Sequence, residues 1–307
     1  MRWPAAWTDT SILRDTALEV APHSPPPDVA VVKGEWPGVR SAQQAGAGPT
    51  GVAWVDSNGW LARLAAARNP GKSIWIDSAE PARAGERSDA APANRRYLVA
   101  MADAAAFGAR WLVTIDDPAA LKPIAAAARF FADHREWETW TPQALIGVVS
   151  DFQTDFSQEL LNLLDRAGMH NRALCKDRLP ADPFRGLRTV LYPDRDHGPS
   201  DDPWVVANLA VVKVSHRYDL VRCWNTGAMS SNYLISPDRS KAVVHLIFYA
   251  DRGPDSASVR VAGRWRTAQI SSIEQPSPQS VKLIPQKDAV EVHLPQVRNY
   301  VALQLFA

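Results

Sequence analysis

The first half of the chain alternates short apolar runs with longer stretches of helical spacing. Three apolar runs, 51–56, 73–77 and 110–117, end in acidic residues. Stretches rich in Ala, Leu and Arg lie between them at 58–68 and 94–107. Short β-branched and aromatic runs that alternate with helices are typical of βα units and a parallel sheet. The pattern therefore predicts an α/β domain with acids at the C-terminal edge of its sheet.

Acids at that edge have a functional interpretation. Parallel α/β folds bind ligands and hold catalytic groups where their strands end. Asp56, Asp77 and Asp117 end the three runs, and a fourth strand candidate, 28–32, leads to Glu35. We expect these carboxylates to build a site. The alternative for each acid is structural, as the cap of the following helix or an acceptor for loop amides.

The rest of the chain carries two other patterns. The segments 144–151 and 186–192 predict buried strands and 158–167 predicts a helix, which together indicate a small flavodoxin-like α/β unit. After about Val205, short runs alternate apolar and polar residues between turns, which predicts an antiparallel β-sandwich. The fold class is therefore α/β plus all-β. The predicted domains are a partial (β/α)-barrel-like domain at 1–141, the α/β unit at 142–204 and the β-sandwich at 205–307.

Composition and charge exclude several classes of function. The formal net charge is +1 with no basic stripe, so we expect no nucleic-acid and no membrane partner. The first 25 residues carry charges and no apolar run, which predicts a cytoplasmic protein without a signal peptide. Cys175 and Cys223 lack the spacing of a zinc site, and nucleotide-binding glycine motifs are absent. His245 and His293 fit ordinary strand positions, so no metal and no organic cofactor is expected.

The chain contains 12 tryptophans, which is an unusual number. Indole faces are large and rigid, and they suit stacking against sugar rings. We expect Asn58 and an aromatic platform to bind a carbohydrate beside the acids. The candidate aromatic residues are Trp54, Trp60, Trp75 and Trp111. Packing between sheet and helices is the alternative for the three of them that lie within predicted strands, Trp54, Trp75 and Trp111.

The order of several segments is informative about the family. These segments are 49–60, 97–117, 146–152 with 159–164, and 242–249 followed by 259–263. Together they resemble bacterial glycoside-hydrolase-like proteins with the layout of the family 42 β-galactosidases. The resemblance implies a (β/α)8 barrel, an amidotransferase-like α/β domain and a C-terminal β-domain. It runs from about residue 30 to the end of the chain.

The resemblance also assigns roles to the acids. A (β/α)8 barrel takes about 250 residues, whereas about 140 precede the predicted linker at Trp140. We therefore expect the last three or four βα units of a truncated or internally deleted relative, with 73–77 as strand seven. The family's nucleophile position then falls near Glu80, the favoured candidate, with Asp77 second. The remaining catalytic candidates are Asp117 after strand eight, Asp56 after strand six, and Glu35.

Three hypotheses follow for function. Glycoside hydrolysis uses two carboxyl groups, one as acid and one as nucleophile or base. The first hypothesis is a glycoside-hydrolase-like protein of retaining type that acts on a β-linked carbohydrate, weak or inactive because half of the barrel is missing. The second is a non-catalytic carbohydrate-binding or scaffold protein. The third is a homo-oligomer in which a second chain completes the half-barrel.

Overall fold

The structure is a computed structural model. It describes residues 3–6, 16–22, 24–39, 55–78, 93–114, 120–198, 200–215, 218–250, 254 and 256–307. Among the predicted site residues, Trp54, Glu80 and Asp117 lie outside the described residues. Their predicted roles therefore stay predictions.

The N-terminal part alternates strands and helices. Its elements are β1 Trp3–Ala6, β2 Leu18–Val20, β3 Val29–Gly34, β4 Gly38–Val39, β5 Val55–Asp56, α1 Gly59–Arg68, β6 Ser73–Ser78, α2 Ala93–Ala106, β7 Ala109–Trp111, β8 Val113–Thr114 and α3 Leu121–Asp133. Strand β6 pairs in parallel with β3 and β7, and β1 pairs in parallel with β2 and β8. Leu112 alone separates β7 from β8, so the described strands follow the order β2-β1-β8/β7-β6-β3. The predicted α/β character is confirmed, and closure into a barrel stays a prediction.

The run 51–56 differs from its predicted role as a parallel strand. Its described end, β5, pairs antiparallel with β4. The described segments 35–39 and 55–58 lie together beside the end of β3. The Asn58 carboxamide accepts a hydrogen bond from the Glu35 N–H at 2.9 Å and donates one to the Glu35 carbonyl at 2.8 Å. Among the described residues between β3 and β6 there is thus no further parallel strand, and these two strands pair directly with each other.

Aromatic packing fixes the helices on this sheet. The Trp36 ring meets the edge of Trp111 at a centroid distance of 5.0 Å and that of Tyr97, on α2, at 5.3 Å. Helix α3 buries one face, formed by Ile124, Ala127, Ala128, Phe130 and Phe131. The Phe131 ring packs against Tyr300 of the C-terminal region at 5.3 Å. The N-terminal part and the C-terminal region consequently share one hydrophobic core.

The middle of the chain forms a three-stranded parallel sheet with helices. Its elements are β9 Thr141–Pro142, β10 Ile146–Ser150, α4 Asp155–Arg166, β11 Asn171–Cys175, β12 Thr189–Leu191, α5 Pro193–Asp196 and α6 Pro203–Val214. The strand order is β11-β10-β12. Helix α6 occupies positions where the pattern predicted the start of alternating strands. Asp202 caps it by accepting from the Trp204 N–H at 2.8 Å, and Pro203 occupies its first turn, where a missing N–H costs little.

The C-terminal region is antiparallel. Its strands are β13 Val221–Trp224, β14 Met229–Ile235, β15 Lys241–Phe248, β16 Ala257–Ala262, β17 Thr267–Ser271, β18 Gln279–Val281, β19 Leu283–Pro285, β20 Ala289–Leu294 and β21 Tyr300–Phe306. They form one sheet of order β13-β16-β20-β19 and a larger one of order β18-β17-β21-β15-β14-β9. A second core of aliphatic residues lies between the strands of both sheets. The predicted antiparallel region is confirmed.

Within the described ranges, no helix has the length and apolar character needed to span a membrane.

Candidate active site

The C-terminal ends of β3 and β6 lie side by side, and with the residues that follow β3 we call them the rim. Lys33 lies opposite Asp77 in the parallel register. The Lys33 ammonium forms an ion pair with the Asp77 carboxylate, and the Asp77 side chain remains 26% exposed. Asp77 is therefore held at the predicted edge of the sheet and is accessible to a ligand.

Glu35 follows β3 at the same edge. Its side chain is exposed, while its backbone N–H and carbonyl are both held by the Asn58 carboxamide. The preceding Gly34 leaves no room for a side chain, because a Cβ there would lie 2.5 Å from Ile76 Cγ2 and 2.6 Å from Asn58 Oδ1. The backbone at Glu35 is thus fixed tightly against β6. The structure brings Glu35 and Asp77 to one edge, as the sequence predicted.

Asn58 and Asp56 lie next to this edge. Asn58 is 2% exposed, and both ends of its carboxamide are engaged by the Glu35 backbone. In this structure it positions Glu35, and contact with a substrate stays a prediction. Asp56 is partly buried at the end of β5, two residues before Asn58.

A buried carboxylate behind the rim was missed by sequence reasoning. Asp103 of α2 accepts the Asn58 N–H at 2.9 Å on Oδ2 and the Tyr249 hydroxyl at 2.5 Å on Oδ1. The Ser230 hydroxyl hydrogen-bonds to the Tyr249 oxygen at 2.7 Å. Burial raises the pKa of Asp103 to about 6, against the opposing effect of the hydrogen bonds from Tyr249 and Asn58. The sequence offered one signal for this residue, because Asp103 is the single acidic residue of α2.

This network connects the C-terminal sheet to the rim. Tyr249 follows β15 and holds Asp103, Asp103 holds the Asn58 backbone, and the Asn58 side chain holds Glu35. The first two links are hydrogen bonds between buried groups, where such bonds are worth most, and the third is partly buried. The position of Glu35 therefore depends on a residue of the C-terminal region.

A second buried carboxylate, Asp165 of α4, lies on the other side of the start of α1. Arg63 donates to both of its oxygens at 2.5 Å, and Asn171 donates to it as well. Burial raises the pKa of Asp165, and the Arg63 charge opposes that effect. A Cβ at Gly59 would lie 2.7 Å from the Phe107 ring and 3.0 Å from Asp165 Oδ2. The turn that carries Asn58 is therefore packed closely against this ion pair.

The described tryptophans of the predicted aromatic platform are buried or partly buried. Trp75 is 7% exposed and Trp111 is 1% exposed, and the Trp111 ring packs against Trp36. Packing between sheet and helices, the alternative left open by the sequence, fits both residues. Trp60, on α1, is partly buried against the core of the α/β unit. A role for these indoles in sugar binding stays a prediction.

The chemistry of the rim is that of carboxylates. Two carboxyl groups about 5 Å apart support retention in glycoside hydrolysis, and a wider separation supports inversion. In the described part of the chain, no group of three or more His, Cys, Asp and Glu side chains is arranged to hold a metal ion. His245 and His293 lie in β15 and β20, as predicted, with hydrogen bonds to Tyr300 and Ser258.

Comparison with known proteins identifies the fold. No protein-family model matches the chain, and no curated protein sequence does. The structure is similar to α-L-fucosidase isoenzyme 2 from Paenibacillus thiaminolyticus, with a TM-score of 0.55 and 8% identity over 81% of this chain and 62% of that one. A rhamnosidase from Novosphingobium sp. PP1Y matches with a TM-score of 0.49 and 7% identity over 91% of this chain and 34% of that one.

The chain thus spans 62% of the length of the fucosidase. The similarity to that structure shows a glycoside-hydrolase-like fold. The predicted similarity to glycoside hydrolases is confirmed at the level of the fold, while the predicted division into domains stays a prediction. Its specific resemblance to the family 42 β-galactosidases stays a prediction.

Proposed function

We propose that this chain is a glycoside-hydrolase-like protein that acts on a β-linked carbohydrate through carboxylates at the rim. One observation carries the proposal, namely that Asp77 and Glu35 lie at the ends of neighbouring parallel strands, with the Glu35 backbone fixed by Asn58. The C-terminal edge of a parallel sheet is where such folds place their chemistry. The fold similarity to a fucosidase and the resemblance to family 42 β-galactosidases favour the same class of reaction.

The roles follow from the retaining mechanism. One carboxyl group protonates the leaving oxygen, the other attacks the anomeric carbon, and water then hydrolyses the glycosyl ester with the first group acting as base. Glu80 is the favoured nucleophile and Asp77 the second candidate, held by the Lys33 ammonium. Glu35, Asp56 and Asp117 are the candidates for the acid.

A non-catalytic carbohydrate-binding protein is the second candidate. The ion pair between Lys33 and Asp77 favours it, because the carboxylate is paired with a cation. A paired carboxylate orients hydroxyl groups as a hydrogen-bond acceptor. Sugar binding without turnover is then the whole function of the rim.

A homo-oligomer is a further proposal about assembly. Within the described ranges, β2 and β3 each pair on one side only, which leaves the opposite strand edges without a neighbour. Such edges pair readily with another chain. Light scattering tests this proposal, and a strict monomer at all concentrations contradicts it.

The experiment for the main proposal is turnover of a panel of aryl β- and α-glycosides. The variants are Glu80→Gln, Asp77→Asn and Glu35→Gln. The matched control is Asp28→Asn, because Asp28 is an exposed acid directly before β3, at the opposite end of the same strand. We expect a loss of about 100-fold or more for a catalytic carboxylate and no change for the control.

The two candidate functions separate in the same experiment. An enzyme loses turnover in a rim variant and keeps sugar binding, as measured by calorimetry. A binding protein shows no turnover in any form and loses binding in the rim variants. Turnover that survives all three rim substitutions contradicts the proposal.

A further inference from the structure

A separate cavity lies at the opposite edge of the parallel sheet from the rim. It is lined by Ser73 and Ala109, the first residues of β6 and β7, and by Asn232 of β14 and His245 of β15. Its volume is about 350 Å³, within the range of about 300–1,000 Å³ that is typical of small-molecule sites. We call it the aromatic cavity, since its lining also includes Trp3, Phe107, Phe131, Trp137 and Trp140.

Within the described ranges, three side chains of the lining carry a buried polar atom without a hydrogen-bond partner. These atoms are Trp137 Nε1, Asn232 Oδ1 and His245 Nε2, in residues that are 4%, 3% and 1% exposed. Their other polar atoms are engaged, since Asn232 Nδ2 donates to the Ala106 carbonyl at 2.7 Å and His245 Nδ1 is 2.6 Å from the Tyr300 hydroxyl. Buried polar groups are normally paired, and each unpaired one costs stability. All three residues line the same cavity, so a ligand that reaches these atoms would supply the missing partners.

The hydrogen-bonding roles of these groups define that partner. The Trp137 indole is a donor, the Asn232 oxygen is an acceptor, and His245 Nε2 donates or accepts according to its tautomer. Burial lowers the pKa of His245 to about 3, so the imidazole is neutral near pH 7. Hydroxyl groups both donate and accept, so a compound that carries several of them satisfies all three positions.

The charged residues of the lining do not favour an ion. Arg110 and Glu138 form an ion pair with each other at 2.7 Å. The third charged residue, Lys72, is exposed to solvent. The three unpaired atoms belong to uncharged side chains, which give an anion or a cation no compensation for the loss of its hydration. The ligand that fits best is therefore neutral.

Aromatic faces supply the remaining contacts. The His134 ring stacks on Trp137 at a centroid distance of 4.2 Å, and the Trp3 ring packs on Phe131 at 5.9 Å. Sugar rings present an apolar C–H face beside their hydroxyl groups, and such faces pack on aromatic rings. We propose that the aromatic cavity binds a neutral, monosaccharide-sized polyol through Trp137, Asn232 and His245, at a site separate from the rim.

The test is a calorimetric titration of the full chain with D-galactose and D-glucose, and with D-glucuronate as the charged probe. Trp137→Phe removes one donor and keeps the ring, and it should weaken binding of the neutral sugar about three- to tenfold. Ala132→Leu adds a larger side chain to the lining and should abolish binding. The control is Trp265→Phe, whose indole N–H donates to the Ala262 carbonyl outside this cavity, and binding should be unchanged. D-glucuronate should bind more weakly than the neutral sugars.

Two outcomes of the titration would contradict the proposed site. Absence of saturable binding by either neutral sugar means that ordered water alone occupies the cavity. Binding that disappears in Asp77→Asn and survives the two cavity variants belongs to the rim instead. A direct readout is the Trp137 indole N–H resonance, assigned by its absence in Trp137→Phe, which must shift with the titration. Loss of glycosidase activity has no bearing on these outcomes, so failure of the proposed function is distinguishable from failure of this site.

Discussion

Asp165 and Asp103 are two buried acids of the described interior, and they differ in how their charge is compensated. Asp165 of α4 faces Arg63, which donates to both of its oxygens. Asp103 of α2 receives its hydrogen bonds from the Asn58 N–H and the Tyr249 hydroxyl, which are neutral groups. Burial is the largest cause of a raised pKa in both. The two acids lie close enough that the charge of Asp165 also raises the pKa of Asp103.

Because their charges are compensated differently, the two acids contribute to the protein in different ways. A buried ion pair is a fixed element of structure, because removal of either partner leaves an uncompensated charge. Asp103 is held by neutral donors instead, and burial raises its pKa to about 6. Asp103 is also the link between Tyr249 and the backbone of Asn58, behind the rim. The region of Asp165 therefore contributes fixed structure, while the region of Asp103 couples the rim to the C-terminal sheet.

The largest effect is expected from Arg63→Met. The substitution leaves Asp165 buried without a cation, and such a loss costs about 3–5 kcal/mol of unfolding free energy. Urea denaturation at pH 7 measures it. Arg195→Met is the control, because Arg195 pairs with Asp196 on the surface and should have little effect. Equal effects of the two substitutions would show that the Asp165 pair is no more important than a surface pair.

The next largest effect is the pH dependence of stability, which should distinguish Asp103 from Asp165. The folded-state pKa of Asp103, about 6, is above its ordinary value of 3.8. Between these two pH values the folded state therefore binds more protons than the unfolded state. The stabilisation that Asp103 contributes to the folded state is complete below pH 3.8 and is lost as the pH rises to about 6. The loss is on the order of 3 kcal/mol at most. Asp103→Asn should remove it, and urea denaturation of variant and wild type between pH 4 and 7 measures the difference.

An asparagine fits the position of Asp103. Its oxygen accepts the Asn58 N–H, its amide donates to the Tyr249 oxygen, and Tyr249 then donates to the Ser230 hydroxyl. The contrasting variant is Asp165→Asn, which leaves Arg63 as an uncompensated buried charge and should lower stability at pH 7. If both variants lose stability equally at pH 7, the distinction between the two regions is wrong.

The fold was predictable where the pattern of the chain is local. Strand β6 and the strands of the antiparallel region follow from apolar periodicity within a few residues. Helix α6 was missed because its outer face is apolar, with Leu209 64% and Val212 75% exposed, so it shows no polar side. Strand β5 was assigned to the parallel sheet from its apolar run, but it pairs antiparallel with β4, and periodicity within one run carries no information on the partner of a strand.

The positions of two candidate site residues were predictable for the same reason, while their roles stay predictions. Glu35 and Asp77 follow apolar runs, and the ends of parallel strands meet at one edge. Asp103 receives its hydroxyl donor from Tyr249, which is 146 positions away along the chain. Periodicity carries no information on such a pair. The sequence left two roles open for Trp111, stacking on a ligand and packing in the core. Its contact with the buried Trp36 ring favours packing.

The smallest effect is expected from Tyr249→Phe, which removes one hydroxyl and keeps the ring. Asp103 and Ser230 both lose a buried partner, at a cost of about 1–3 kcal/mol. The hydrogen bond from Tyr249 lowers the pKa of Asp103, so its loss should raise that pKa further and extend the window of pH-dependent stability upward.

The matched control for this variant is Tyr233→Phe, whose hydroxyl donates to the neutral Ala262 carbonyl at 3.0 Å. Both changes delete a tyrosine hydroxyl from the C-terminal region, but only the first one faces a carboxylate. Tyr249→Phe should therefore move the pH dependence of unfolding, while Tyr233→Phe should lower stability equally at all pH values between 4 and 7. Coincident pH profiles would mean that Asp103 does not depend on Tyr249, and the C-terminal sheet would then have no part in fixing the position of Glu35.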